Sequence, residues 1–266
     1  MNSPPVKDRE EAIDQEPAPH LSHSRINRYL TCPEQYRLYY VEKLRPRLDS
    51  AGLVFGALIH VAIADLFRTG EDPVEHFRRD WQNLKEVQLR YKKRESWEDF
   101  NTKGEKLLAK FLAEEAPKIR QAHGIERKFE LRVTALDAPF VGIIDLVGRV
   151  DDRLTVIDFK TAGSDYEDHE AALSDQLTAY ALAEPEAKQV ALCVLVKTKE
   201  PRIEWHFAKR SAGDLAEYLD KVRLVSDDIA AGKFYKRPGR HCAWCDFLPV
   251  CLGNEKNAQD TLVRIA

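Results

Sequence analysis

Apolar and polar positions divide the chain into three stretches of different character. In LSHSRINRYLTCPEQYRLYYVEKLRP (residues 21–46), Ser22 or Ser24 can cap a helix start, and Pro33 falls between two helical stretches. Residues 53–69 (LVFGALIHVAIADLFRT) are apolar nearly all round, which predicts a buried helix. From about 73 to 122 the pattern is helical and heavily charged, and it reads as a helical insertion over about 70–125. At Phe129 the period shortens. FELRVTAL, FVGIIDLVGRV and RLTVIDFKTA are β-branched-rich runs separated by short polar turns, which predict consecutive strands. SDQLTAYALAEP predicts a helix ending before Pro185, QVALCVLVKT a buried strand, IEWHFAKR (203–210) an alternating one, and 211–234 an amphipathic helix. The remainder, YKRPGRHCAWCDFLPVCLGNEKN, lacks periodicity and holds three cysteines. The order predicts an α/β (α+β) chain with a helical addition.

Composition narrows the function classes. With 44% hydrophobic and 32% charged residues over 266 positions, the chain is neither fibrous nor disordered over most of its length. No apolar run in the sequence looks long enough for a membrane span of ~18 residues, so no membrane is expected. The N-terminus lacks an apolar signal core, so a cytoplasmic location is expected. The net charge of −3 hides an asymmetry: residues 1–20 hold two basic and five acidic side chains, leaving 39 of each sign in the remainder. That acidic, proline-rich segment reads as a disordered tail. Any attraction for an anion must therefore come from placement. Five cysteines without a signal peptide point to metal ligation rather than disulfides.

Residues 140–161 carry the chemistry. If Asp151-Asp152 is a two-residue hairpin turn, Val150 pairs with Arg153, and Asp145 falls opposite Asp158 on one face, with Lys160 two residues further along it. The neighbours Ile143, Ile144, Leu146, Val147, Val156, Ile157 and Phe159 predict a largely buried strand pair. Two opposed carboxylates are destabilising there unless a divalent cation lies between them, and hard oxygens suit Mg²⁺ or Mn²⁺. The alternative is a hairpin whose acids sit at the sheet rim, neutralised by the lysine.

The residues GIIDLV…VIDFKTA resemble motifs II and III of the PD-(D/E)XK nucleases, in their RecB-like branch. Gln176-Leu-Thr-Ala-Tyr180 is similar to that branch's QxxxY helix, and Gly56-Ala-Leu-Ile-His60 to its GxxxH helix. The resemblance implies a restriction-endonuclease-like mixed central sheet flanked by helices. It implies a metal held by His60, Asp145, Asp158 and the Phe159 backbone carbonyl, with Lys160 orienting or deprotonating the attacking water. Gln176 and Tyr180 would position the phosphate. Glu130, on the preceding strand, is a weaker candidate for an accessory acid. Cys32 in TCPEQY, with Cys242, Cys245 and Cys251 spaced C-x2-C-x5-C, resembles the iron–sulfur nucleases of the RecB/AddB and CRISPR-adaptation exonuclease group. The resemblance implies a 4Fe-4S cluster stapling the two ends of the chain. A Zn²⁺ site is the alternative for these four cysteines. Cys193 reads as a buried free thiol.

The resemblance covers residues 21–253, taken as one nuclease domain with a cluster-binding segment at about 236–253 and a C-terminal tail at 254–266. It implies a metal-dependent deoxyribonuclease acting as an exonuclease on single-stranded DNA ends, in recombination, repair or CRISPR spacer processing. A helicase or CRISPR integrase partner would fit. The alternative is a non-catalytic or complex-dependent subunit that binds DNA ends. Arg25, Arg28, Lys92, Lys93, Arg94, Lys236, Arg237 and Arg240 are candidates for a strand-tracking groove, and Tyr36, Tyr39 and Trp244 for stacking platforms.

Overall fold

A computed structural model of the chain describes residues 20–134 and 136–265, so the acidic tail, apart from His20, lies outside the described residues. Helix α1 (His23–Thr31) starts where the Ser22 side chain accepts from the Arg25 N–H. It stops at Cys32, whose extended backbone (φ −163°, ψ 111°) is what a residue before proline requires. Pro33 then opens a short helix α2 (Pro33–Tyr36), continued by a π-helical turn over Arg37–Val41. After strand β1 (Leu44–Pro46) comes α3 (Ala51–Thr69), closed by Gly70 in the left-handed region (φ 80°). By length and composition α3 could cross a membrane, contrary to the expectation that no run reaches that length. In the fold it is a core helix, with Phe55, Leu58, Ile59, Ala62 and Ile63 buried.

Helices α4 (Pro73–Asn83) and α5 (Trp97–Lys110) pack on α3 through an aromatic cluster of Phe55, Phe77, Trp81 and Phe100. The predicted helical insertion is shorter than 70–125. Its last helical turn ends at Lys118, and Arg120–His123 is an edge strand, β2, of the central sheet.

The hairpin of β3 (Arg127–Leu131) and β4 (Phe140–Ile144) stands apart from that sheet as a two-stranded unit. The central sheet also contains β5 (Leu146–Val150), β6 (Arg153–Ala162), β7 (Gln189–Val196) and β8 (Arg202–Ala208), in the order β2-β5-β6-β7-β8. The β6–β7 pair is parallel and the others are antiparallel, so the sheet is mixed. Asp151 and Asp152, both at positive φ (50° and 59°), make the two-residue turn that sets the β5–β6 register, Leu146↔Ile157 to Val150↔Arg153. The crossover from β6 to β7 carries α6 (Glu170–Leu173) and α7 (Asp175–Ala183).

Alternation along the strands divides the core in two. Leu146, Val150, Ile157, Phe159, Cys193 and Leu195 pack on α3, whereas Val147, Val156, Val190, Leu192 and Val194 pack with Leu177 and Tyr180 of α7. Helix α8 (Ala212–Ala230) begins at a Ser211/Asp214 capping box and covers α1 and α7. The segment read as a C-terminal tail adds structure. After α9 (Leu248–Cys251) it forms α10 (Glu255–Thr261) and β9 (Leu262–Arg264), which pairs antiparallel with β1.

Candidate active site and cysteine staple

The two core layers meet where β6 runs out beneath α3 on one side and α7 on the other. Gly56 allows the approach on the α3 side, since a Cβ there would meet Thr161 Oγ1 at 3.1 Å. One turn further along α3, His60 Nδ1 lies 3.1 Å from Asp145 Oδ2. Asp145 leaves the ladder at the β4–β5 bend. Its carboxylate accepts the Phe159 N–H at 2.9 Å, one step beyond the Leu146↔Ile157 pair, where the predicted register puts Asp158 opposite. At Phe159 it is thus the N–H that is engaged.

Asp158 is wholly buried, and no backbone N–H or neutral side chain donates to its carboxylate. Lys160 Nζ sits 2.8 Å from its Oδ2. Lys160 also donates to Gln176 Oε1 (2.7 Å), and Gln176 Nε2 donates to the Tyr180 hydroxyl (2.7 Å). The four-residue spacing of Gln176 and Tyr180 on α7 places both on one face, which makes this relay possible. Two runs of contacts, His60–Asp145–Phe159 N–H and Asp158–Lys160–Gln176–Tyr180, thus meet at adjacent residues of β6.

Burial raises the Asp158 carboxyl above its usual range; Asp145 adds to the rise, while Lys160 and His60 oppose it. Burial pulls the Lys160 ammonium down, but the Asp158 and Asp145 charges outweigh it and hold it above the usual lysine value. A fully buried carboxylate whose near donor is Lys160 Nζ, beside a second carboxylate and an imidazole nitrogen, is a hard oxygen-and-nitrogen donor set of the kind that takes a divalent cation.

A second group, Asp65, Glu71 and His76, has ligand atoms within 4.8 Å of one another. Its capacity is already used. His76 bonds to Glu71 and Asp80, Arg79 holds Glu71 at 2.7 Å, and Arg68 pairs with Asp65.

Two residues at the site carried no sequence signal. His23, at the start of α1, is lowered to about 4 by burial and then by the Lys160 charge, with Lys221 adding and Asp175 opposing. Tyr166, in the loop after β6, is raised by burial and feels Lys160 and Asp158. Glu130 is not part of the cluster; it is half exposed and pairs with Arg132 at 2.7 Å.

The cysteine segment folds back on α1–α2. Cys32 caps α2, Cys242 lies in a 3-10 turn (Arg240–Trp244), and Cys251 ends α9. Gln35 Nε2 approaches Cys245 Sγ at 3.7 Å. Burial raises the Cys245 and Cys251 thiols, and the neighbouring Cys32 sulfur adds to both. All four thiols are free, so the two ends of the domain converge on one set of soft ligands. Cys193 is buried in β7, where burial pushes its thiol well up.

The predicted basic positions scatter. Arg25 stacks on Tyr40 and Arg28 on Tyr39. Lys92, Lys93 and Arg94 are exposed on the α4–α5 loop, and Arg240 is exposed beside the cysteines. Lys236 and Arg237 instead tie down backbone, donating to the Cys251 and Leu30 carbonyls. Tyr36 and Tyr39 are buried, whereas Trp244 is 73% exposed.

Comparison with known proteins bears on the fold and the family. The chain resembles the solved structure of SSO0001 at a TM-score of 0.50 and 14% identity, over 92% of each chain. It also resembles a protein described as "Putative exonuclease" from Eubacterium rectale at a TM-score of 0.54 and 13% identity, over 89% of each chain. At such identities the likeness speaks for the fold. No curated protein matches the chain. The family model of the PD-(D/E)XK nuclease superfamily matches residues 20–252, from the start of α1 through the last cysteine, and the chain belongs to that superfamily.

Proposed function

We propose that the chain is a Mg²⁺- or Mn²⁺-dependent deoxyribonuclease acting as an exonuclease on single-stranded DNA ends. The observation that carries this reading is Asp158, a fully buried carboxylate held by Lys160 Nζ at 2.8 Å and close to Asp145 and His60. His60, Asp145 and Asp158 would hold the metal, which when bound supplies Lewis-acid stabilisation of phosphoryl charge and a more acidic water. Lys160 Nζ donates a hydrogen bond to the attacking water and balances charge on the phosphate. Gln176 fixes the lysine's direction, and Tyr180 fixes that of Gln176. Water adds to phosphorus, the bridging P–O bond breaks, and the leaving sugar oxygen takes up a proton.

The four cysteines are assigned to a structural 4Fe-4S cluster. The support is that thiols from both ends of the domain gather where the surrounding chain is short helices and turns with little core of its own. Roles in recombination, repair or spacer processing, and a helicase or integrase partner, belong to the same reading.

End-labelled linear and circular single-stranded DNA, incubated with Mg²⁺ or Mn²⁺, test it. The expected result is digestion of linear but not circular substrate, lost in Lys160→Ala. Cleavage of circles would make the chain an endonuclease. Binding of ends without cleavage by pure wild-type protein would favour the non-catalytic or complex-dependent reading.

A further inference from the structure

A cavity of about 300 Å³ lies outside the catalytic cluster. Its wall includes Arg28, Tyr39, Arg45, Leu53, Phe247 and Ile265. The π-helical turn sets the Tyr39 ring between two guanidiniums, with Arg28 Cζ 3.6 Å and Arg45 Cζ 3.4 Å from its centroid. The stacking fixes both cations with little rotamer freedom left to lose on binding. Arg45 is held further by the Tyr39 and Leu44 carbonyls, and among the described residues it makes no ion pair. Of the two acids at the cavity, Asp246 is paired with Arg90 at 2.5 Å, which leaves Asp49 against two arginines. The lining also carries apolar side chains that are partly open, Leu53 at 65% and Ile265 at 44% exposure.

The cavity and the catalytic histidine lie on the same side of α3. Leu53, Ala57 and His60 recur at intervals of four and three, on one helical face, with Leu53 about 10 Å from His60 along the axis. That is the span of a short run of extended single strand. Fixed cations together with apolar side chains are what a nucleotide unit requires, phosphate on the one and base on the other.

We propose that this cavity is a subsite for a nucleotide flanking the scissile bond, its phosphate on Arg28 and Arg45 and its base against Leu53 and Ile265. The proposal rests on the nuclease reading and adds to it a binding site. Part of its wall, Val263 and Ile265 of the β9 segment, lies beyond residues 20–252 matched by the superfamily model.

The test is fluorescence anisotropy of a labelled single-stranded oligothymidylate with metal-free full-length protein, over a salt series, for wild type, Arg45→Gln, Leu53→Glu and Ile265→Glu. Wild-type cleavage of the same oligonucleotide is measured in parallel with Mn²⁺. Leu53 and Ile265 are exposed, so their variants remain folded by circular dichroism even if Arg45→Gln does not. The expected result is about tenfold weaker binding in each folded variant, and for Arg45→Gln a salt slope reduced by about 0.7. Variants that bind as wild type, with wild-type cleavage intact, overturn the subsite and leave the nuclease reading standing. A wild type that neither binds nor cleaves overturns both.

Discussion

At the level of single residues, the site depends on a buried carboxylate, Asp158, held by a lysine at its edge. Lys160→Ala removes a partly exposed side chain from the end of β6 and no volume from either core layer. It is expected to reduce cleavage by at least about a hundredfold, the lower range for a positioned proton-transfer group, with an unchanged melting temperature. A parallel loss of folding would assign Lys160 a structural role instead. His23 predicts a pH effect on stability. Its folded value of about 4 lies below the unfolded histidine value of 6.5, so between those limits the unfolded chain binds the extra proton. This contribution is complete above about pH 6.5 and is lost as pH falls toward 4, amounting to something on the order of 3 kcal/mol. Urea midpoints of wild type and His23→Gln across that range should diverge; parallel profiles would show His23 to be solvated. The acid, acid and lysine set was legible in the sequence because carboxylates inside an apolar strand pair demand an explanation. His23 and Tyr166 were not, because nothing in their own segments shows which way they face.

The elements position these residues by close approach, and the glycines mark where approach is tightest. In α5, a Cβ at Gly104 would stand 2.2 Å from Cε1 of Phe77, a ring that is fully buried. Helix propensity alone favours Gly104→Ala by about 1 kcal/mol. Overpacking costs about 1–3 kcal/mol, so the substitution is expected to be neutral to destabilising by up to about 2 kcal/mol in a denaturant series. A clear stabilisation would mean that the insertion moves freely on α3. The two-residue turn at Asp151-Asp152 was readable from spacing, and it set the β5–β6 register correctly. The exit of Asp145 from that ladder was not readable, because a bend costs the sequence pattern nothing. The edge strand Arg120–His123 was masked in the same way by the charged helical stretch before it.

Across the whole molecule, the C-terminal segment returns to the N-terminal elements. Cys32 follows α1, the other three lie near the C-terminus, and β9 beyond them pairs with β1. Without a bound metal group the four thiols are left in a segment with few core side chains, so Cys245→Ala should lower melting temperature and cluster content together, with activity falling as a consequence. Anaerobically purified wild type should be brown and contain iron and acid-labile sulfide. Colourless protein with stoichiometric zinc would assign the site to Zn²⁺, and a folded, active, metal-free Cys245→Ala would remove the staple altogether.

Local chemistry explains which parts could be read in advance. Hydrophobic period, proline and serine placement and motif spacing act within a few residues, so the helices, the strands, the β5–β6 turn and the GxxxH, QxxxY and cysteine patterns were all visible along the chain. Long-range packing decided the rest. It separated β3–β4 from the central sheet, folded the final residues into a strand beside β1, and drew His23 toward Lys160. It also set Tyr39 between two arginines that lie seventeen positions apart in the chain. Those outcomes depend on which buried faces find one another, and a face is fixed by its partner as much as by its own residues.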